Sequence, residues 1–447
     1  MKKASWILLW AVLICLLVAC SATPTEVEDD EQAALEYQAA PEEPLDVEPK
    51  PEQEPEPPVE PVLGPPTLPG RIAIVTDDGG NWPSEQYLSV VSLIERHGAE
   101  NIVHLNWPRW RRADRYCDSR LLSFAQSIAD DPEIRVLIVN PVRSRADRLI
   151  YALREQRSDI FIIYIEHPLR NIDWEDYADS VYLADLILNA DMREVHRRTP
   201  MQARELGADT LVLFGTYPGD LIYRNDAGAD AILEERHIWR TQSEAAGLNF
   251  VEVLSRWYEA PQCMSDLARY MEERIGPAIA EHGRDIVFVG LCPERLFWVF
   301  LSSGTIYPAP LAEYFGLGPY SIAREFSQRP ALEELSREEF FAKENLALVI
   351  EETRRGLDGR GLLGRVSTWP VSTRSMFTYA AVEYAIMWMN GEAPEDEIDT
   401  QALERIMVDF IAQYADKPEW GVAITPLSHD GVVHSNYLLV FLDFMTY

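Results

Sequence analysis

Between Arg71 and Val289, short apolar β-branched runs alternate with stretches carrying apolar residues at helical spacing. No other feature of the chain constrains its fold as much. Arg71-Ile72-Ala73-Ile74-Val75-Thr76 reads as a strand, and Leu88, Val91, Ile94 and Glu95 mark a helix from Ser84 to a stop at Gly98. Strands follow at 101–106, 136–139 and 160–165, with helices at 119–129 and 144–156 between them. The alternation restarts with an apolar run over 180–189, a helix over 193–206 closed by Gly207, and a strand at 210–214. A helix over 229–246, a strand at 250–253, a helix over 264–281 and a strand at 286–289 complete it. Strands apolar throughout and separated by amphipathic helices imply parallel sheets covered on both faces, an α/β fold.

From Arg71 to Tyr447 there are 377 residues, more than the ~250–300 over which a single core usually extends. Two lobes are therefore expected, an N-terminal one over 70–179 and a C-terminal one over 180–325. Beyond Tyr307 the pattern changes, with helices at 336–352, 377–389 and 400–414 and a late strand at 437–444. Residues 326–447 are read as a mainly helical segment that crosses back to the lobes. Gly356–Gly364 lacks the Gly-Lys-Ser/Thr of a phosphate cradle and reads as a flexible connection.

The N-terminus carries a separate message. Lys2 and Lys3 open an apolar run ending Leu17-Val18-Ala19-Cys20, the layout of an export leader and too short for a confident membrane span. This ending resembles the bacterial lipobox, which implies a leader over 1–19, cleavage before Cys20 and lipidation of Cys20. Residues 21–69 hold 14 acidic residues against the single Lys50, with 12 prolines. A segment so poor in apolar surface cannot offset its ordering entropy. Residues 20–69 are thus expected to be a disordered tether, reaching ~150 Å if polyproline-like.

Charge narrows the partners. The tether carries −13 of the formal −33 and the leader +2, which leaves −22 on the remainder. Nucleic acid and anionic membrane surfaces require the opposite sign, so neither is expected as a partner. Arg109, Arg111, Arg112, Arg115 and Arg120 cluster around Trp107 and Trp110. In so acidic a chain they read as a solvated loop paired with carboxylates. Only Cys117, Cys263 and Cys292 remain for the fold, at spacings that match neither a disulfide framework nor a zinc site.

Ligands of open parallel sheets bind beyond the carboxyl ends of the strands, which turns the strand assignments into candidate residues. These are Asp77, Asp78 and Asn81 after the first strand, Trp107 after the second, Asn140 and Arg143 after the third, and Glu166 and His167 after the fourth. Thr216 and Tyr217, Cys292, and Tyr307 follow later strands. Aromatic, acidic, amide and guanidinium groups together suit a small polar molecule held by stacking and hydrogen bonds. Each position has a structural alternative: Asp77 and Asp78 as helix caps, Trp107 as packing, Arg143 as a loop cation. Glu166-His167 lacks a nucleophile, and His429 and His434 flank Asp430-Gly431 at no defensible metal spacing. No catalytic residue, metal or cofactor is expected.

Several runs resemble a known family. They are Glu166-His167-Pro168, the stretch Ala184–Glu205 followed by Leu206-Gly207-Ala208-Asp209-Thr210, Gly247-Leu248-Asn249-Phe250-Val251-Glu252-Val253, and Gly304-Thr305-Ile306-Tyr307-Pro308-Ala309-Pro310. They resemble the bacterial family known as domain of unknown function 3798, itself similar to type 1 periplasmic binding proteins. The matches lie in order and in register with the strands, over most of 71 to about 325. Tyr217–Ala231 is longer than the family's loop, and the C-terminal third matches poorly. The resemblance implies a two-lobed, hinge-closing fold with a ligand cleft between the lobes, and no particular substrate. The expectation is a cell-envelope lipoprotein that captures a small-molecule solute for an inner-membrane permease and ATPase complex. The alternative is an envelope sensor or scaffold that binds a protein or glycan.

Overall fold

The computed structural model of the chain describes residues 67–76, 85–108, 118–140, 146–165, 183–216, 228–255, 271–290, 299–301, 303–308, 330–335, 339, 345–394, 396–413, 420–429 and 431–447. The first sheet grows outward from β1 (Arg71–Thr76), whose five residues after Arg71 are all buried. It pairs in parallel with β2 (Ile102–Asn106) on one side and β3 (Ile134–Asn140) on the other, so that Thr76 aligns with both Asn106 and Asn140. β4 (Phe161–Ile165) and β5 (Leu186–Ala190) extend the parallel array. Two C-terminal strands complete it. β12 (Val432–Leu442) runs parallel to β5, and β11 (Val422–His429) closes an antiparallel hairpin, giving the order β11-β12-β5-β4-β3-β1-β2. Pro426 and the register shift that follows it sit in the outermost strand, where a missing N–H and a bulge discourage pairing with another chain.

Period-2 alternation divides the side chains of β1 and β3 between two apolar layers. Ala73, Val75, Leu137 and Val139 pack with Leu121 and Ala125 of α2 (Asp118–Ala129) and Leu149 and Ile150 of α3 (Ala146–Arg154). Ile72, Ile74, Val136 and Ile138 face the other way, with Val90 and Leu93 of α1 (Glu85–His97). Each such side chain contributes roughly 1.5–3 kcal/mol on burial. α1 ends at Gly98, whose φ of +90° is open to glycine at little steric cost.

The second sheet is smaller and wholly parallel: β7 (Asn249–Ser255), β6 (Thr210–Thr216) and β8 (Ile286–Val289), in that order. Leu211, Leu213, Val287 and Val289 pack with Trp239 of α5 (Gly228–Ala245). A single-turn π-helix (Met271–Ile275) runs into α6 (Gly276–His282) before β8.

Three crossings join the sheets. α4 (Met192–Glu205) leaves β5 and delivers the chain to β6. Ile306 bridges Val287 of β8, and the chain continues into β9 (Tyr307–Pro308), which pairs with β10 (Val366–Thr368). β10 follows α7 (Leu346–Asp358) and leads into α8 (Thr373–Met389), which lies over β3 and β4 and against α1. After α9 (Thr400–Ala412) and the hairpin, β13 (Met445–Thr446) returns to pair with β10. β13-β10-β9 is thus a small sheet at the junction.

Four expectations change. The apolar run after residue 180 belongs to the first sheet, because Leu186, Ile187 and Leu188 pair with Ile163, Tyr164 and Ile165; an apolar strand carries no sign of which sheet it will join. The last third is less helical than its periodicity suggests, since it also supplies β10, β11, β12 and β13. The helix expected over 336–352 is found at Leu346–Asp358. Length suggested separate cores, yet one buried cluster takes in Ile74 and Ile163 of the first sheet, Val212 and Phe288 of the second, and Val349 and Phe377 of α7 and α8. Residues 63–447 accordingly form one compact unit, and the other unit, 1–62, lies outside the described residues.

Candidate functional site

The carboxyl edge of the first sheet carries polar residues where the strand interiors are apolar. Thr76, at the end of β1, is fully buried, and its Oγ1 lies 2.9 Å from His104 Nε2 on β2. The His104 ring meets Tyr87 of α1 edge-on at 5.1 Å. The Thr76 carbonyl accepts from the Trp107 N–H at 2.8 Å, which pins the exit of β2 to the end of β1.

Trp107 is 3 % exposed and packs in the layer of Val75, Leu121 and Ala125, and among the described residues its indole Nε1 has no hydrogen-bond partner. A buried donor left unpaired costs about 1–3 kcal/mol. Beside it, an open depression of about 570 Å3 is lined by Asn106, Pro108, Ser119, Arg120, Ser123 and Phe124.

Asn140 ends β3 and is 3 % exposed. Its Nδ2 donates to Thr378 Oγ1 at 2.8 Å, and Thr378 donates in turn to the Arg374 carbonyl at 2.7 Å. That amide fastens α8 to the sheet. On β5, Asn189 Nδ2 donates to the Tyr437 hydroxyl at 2.8 Å and so joins the C-terminal strand. Asp191, immediately after β5, accepts from the Glu194 N–H at 2.9 Å as the N-cap of α4. Burial pushes the Asp191 carboxyl above the ordinary range, and the negative Glu194 adds to this against the opposing backbone hydrogen bonds.

In the second sheet, β6 ends at Thr216 and β8 is followed by Gly290. Gly290 has a φ of +86°, and a Cβ there would stand 2.1 Å from the Phe214 carbonyl oxygen. Only a residue without a side chain allows the two strand ends to approach this closely.

Of the candidate contacts, Trp107 through its N–H bond to the Thr76 carbonyl and Asn140 through its alignment with Thr76 come to one edge, whereas Tyr307 is buried in the shared cluster and stacks on Phe300 at 5.7 Å. Asp77, Asp78, Asn81, Arg143, Glu166, His167, Tyr217 and Cys292 lie outside the described residues, as does Cys20. Sequence reasoning did not single out His104, Thr378, Asp191 or Gly290. For Asp191 a signal existed, the Asp-x-x-Glu spacing of an N-cap before a helix. Asn140 and Thr378 are 238 positions apart, and no local pattern links them. Among the described residues no group of three or more His, Cys, Asp or Glu is placed to hold a metal, and no helix is long and apolar enough to cross a membrane.

A family model described as "Protein of unknown function (DUF3798)" matches residues 71–296, just over half of the chain. The chain belongs to that family. No curated protein matches it. Among solved structures, a "Putative transcriptional regulator from Clostridium difficile 630" is 19 % identical with a TM-score of 0.63, over 86 % of this chain and 100 % of its own. At that identity the two share a fold and nothing further is inferred. An ABC transporter substrate-binding protein from Desulfitobacterium hafniense, in complex with Leu, is 13 % identical over 84 % of this chain and 97 % of its own, TM-score 0.38. A sugar ABC transporter from Actinomyces odontolyticus ATCC 17982 is 12 % identical over 73 % and 86 %, TM-score 0.39.

Proposed function

We propose that this chain is an extracytoplasmic lipoprotein, anchored through Cys20, that binds a small polar solute between two α/β lobes and delivers it to an inner-membrane permease and ATPase. The observation carrying the binding role is the crossing pattern. The chain passes between the two sheets through α4, through β10 into α8, and through β12 into β13. Two sheets joined by a few such crossings can rotate relative to one another and close on a ligand. The first lobe then comprises the strands to Ala190 with the returning C-terminal elements, and the second begins at α4.

The solute contacts we assign are Asp77, Asp78, Asn81, Trp107, Arg143, Glu166, His167, Thr216, Tyr217 and Cys292, all at or just beyond strand ends. Asn140, whose amide is spent on Thr378, and Tyr307, stacked on Phe300, support the wall of the site. Capture needs no covalent step, so the protein acts as a binder and not as an enzyme.

Thermal-shift screening of the mature chain against pools of sugars, nucleosides, amino acids and short peptides tests this reading. A ligand at 100 times its Kd adds about 2.7 kcal/mol to stability, an easily seen rise in Tm. No shift with any pool refutes solute capture. The acidic, proline-rich stretch over 21–69 favours one second reading, an envelope sensor or scaffold that binds a protein or glycan at a distance from the membrane.

A further inference from the structure

Away from the strand ends, charged side chains converge where α1 meets α8. Arg96 and His97, the last two residues of α1, both reach Glu383 near the middle of α8. His97 Nε2 lies 3.0 Å from Glu383 Oε1, and Arg96 Nη1 lies 3.6 Å from the same oxygen. Arg96 also donates to the Tyr379 hydroxyl, one turn earlier on α8, and its guanidinium stands 5.2 Å from the centre of that ring. The Glu383 side chain is 20 % exposed and that of His97 15 %, so water screens the contact only in part.

Among the described residues, the other elements packed on α8 bring no competing charge. β3 and β4 present Val136, Ile138, Phe161 and Ile163, together with Asn140. α9 presents Leu403, Met407 and Phe410, while its Glu404, Arg405 and Asp409 are exposed. Among the described residues, the charged groups acting on Glu383 are therefore Arg96 and His97. Burial alone would push the Glu383 carboxyl up. The hydrogen bond and charge of His97, the charge of Arg96 and a hydrogen bond from Tyr379 outweigh it and hold the carboxyl below its ordinary value. Cations in the last turn of α1 are also favoured by that helix's negative end.

We propose that Arg96, His97 and Glu383 form an acid-released latch that docks the C-terminal helix α8 onto the first sheet. The sign follows from the depressed acid. The Glu383 carboxylate holds the latch while it is ionised, and this contribution is lost as pH falls through the lower value that Glu383 has in the folded chain. Its release would free the helix that covers Ile138 and Ile163 and that holds Asn140 through Thr378. This device stands apart from solute binding.

Hydrogen exchange of α8 backbone amides in the full chain, stepped from pH 7 to 3.5 and corrected for intrinsic rate, tests it. A partly exposed ion pair shifts an equilibrium by about two- to fivefold, so α8 opening in the wild type should rise by about that factor across the acid step. Glu383→Gln should open α8 by a similar factor already at pH 7 and lose the step, with β6 and β7 amides unchanged. Wild-type protection of α8 in Glu383→Gln at pH 7, or a full acid step in that variant, overturns the latch. Should Glu383→Gln not fold, His97→Gln provides the reading, because it should move the step to higher pH. An unmoved step in that variant overturns the latch equally.

Discussion

Two glycines with nearly the same backbone angle separate conformational strain from steric exclusion. Gly207 has a φ of +92° and nothing within 4 Å of where a Cβ would stand, whereas Gly290, at +86°, would place a Cβ 2.1 Å from the Phe214 carbonyl oxygen and 2.9 Å from Leu213 Cδ1. Gly207→Ala thus carries the strain alone, about 1–2 kcal/mol. Gly290→Ala carries the same strain and also forces β8 away from β6 by on the order of 1 Å, since the nearest atom is backbone and cannot rotate aside. Overpacking of that kind costs about 1–3 kcal/mol more. With a urea dependence of about 3 kcal/mol per molar, Gly290→Ala should unfold some ~0.3–1 M earlier than Gly207→Ala by tryptophan fluorescence. Equal midpoints for the two variants would refute the close approach of β8 to β6, and with it the second sheet's contribution to the site.

Two further outcomes follow from the same structure. Asp191→Ala should lose about 1 kcal/mol with the N-cap of α4, while Asp191→Asn should keep the cap. Because burial raises the Asp191 carboxyl, wild-type stability should decline as pH rises through that raised value, and Asp191→Asn should flatten this slope in urea titrations at stepped pH. Residues 71–296 alone, the part matched by the family model, should fail to give cooperative unfolding or near-ultraviolet dichroism. They lack α8 over Ile138 and Ile163, and β12 beside Leu188. A truncated chain with a native-like spectrum would contradict this account.

The strands of the first half were legible because their side chains announce burial on both faces. Arg71–Thr76 and Ile286–Val289 occur as read, and α1 stops at the glycine that ends its pattern. What could not be read is pairing at long range. Leu188 carries the same apolar signal whether it sits beside β4 or in another sheet, and only the partners at Ile165 and Leu438 decide the matter. β11 escaped notice because Pro426 and exposed alternate positions weaken its strand signal, although its pairing with β12 requires neither to be absent. At the site, the strand-end rule leads to Trp107 and Asn140 but does not tell a ligand contact from a fastener.

That distinction has a consistent physical answer along the first sheet. On β1, β3 and β5 the last polar residue is spent on another element: Thr76 on His104, Asn140 on Thr378, Asn189 on Tyr437. A buried hydroxyl or amide must find a partner or lose about 1–3 kcal/mol, and at these positions neighbouring secondary structure is close enough to supply it. On these three strands, groups free to contact a solute therefore lie at least one residue further on, where the strand no longer dictates the side chain's direction. Two of those three fasteners reach into residues beyond 370, so the C-terminal elements shape the edge of the proposed site without touching its occupant. Substitutions at Thr378 or Tyr437 should accordingly weaken solute binding through the fold, in proportion to lost stability, whereas substitutions at Asp78 or Arg143 should weaken it at unchanged Tm.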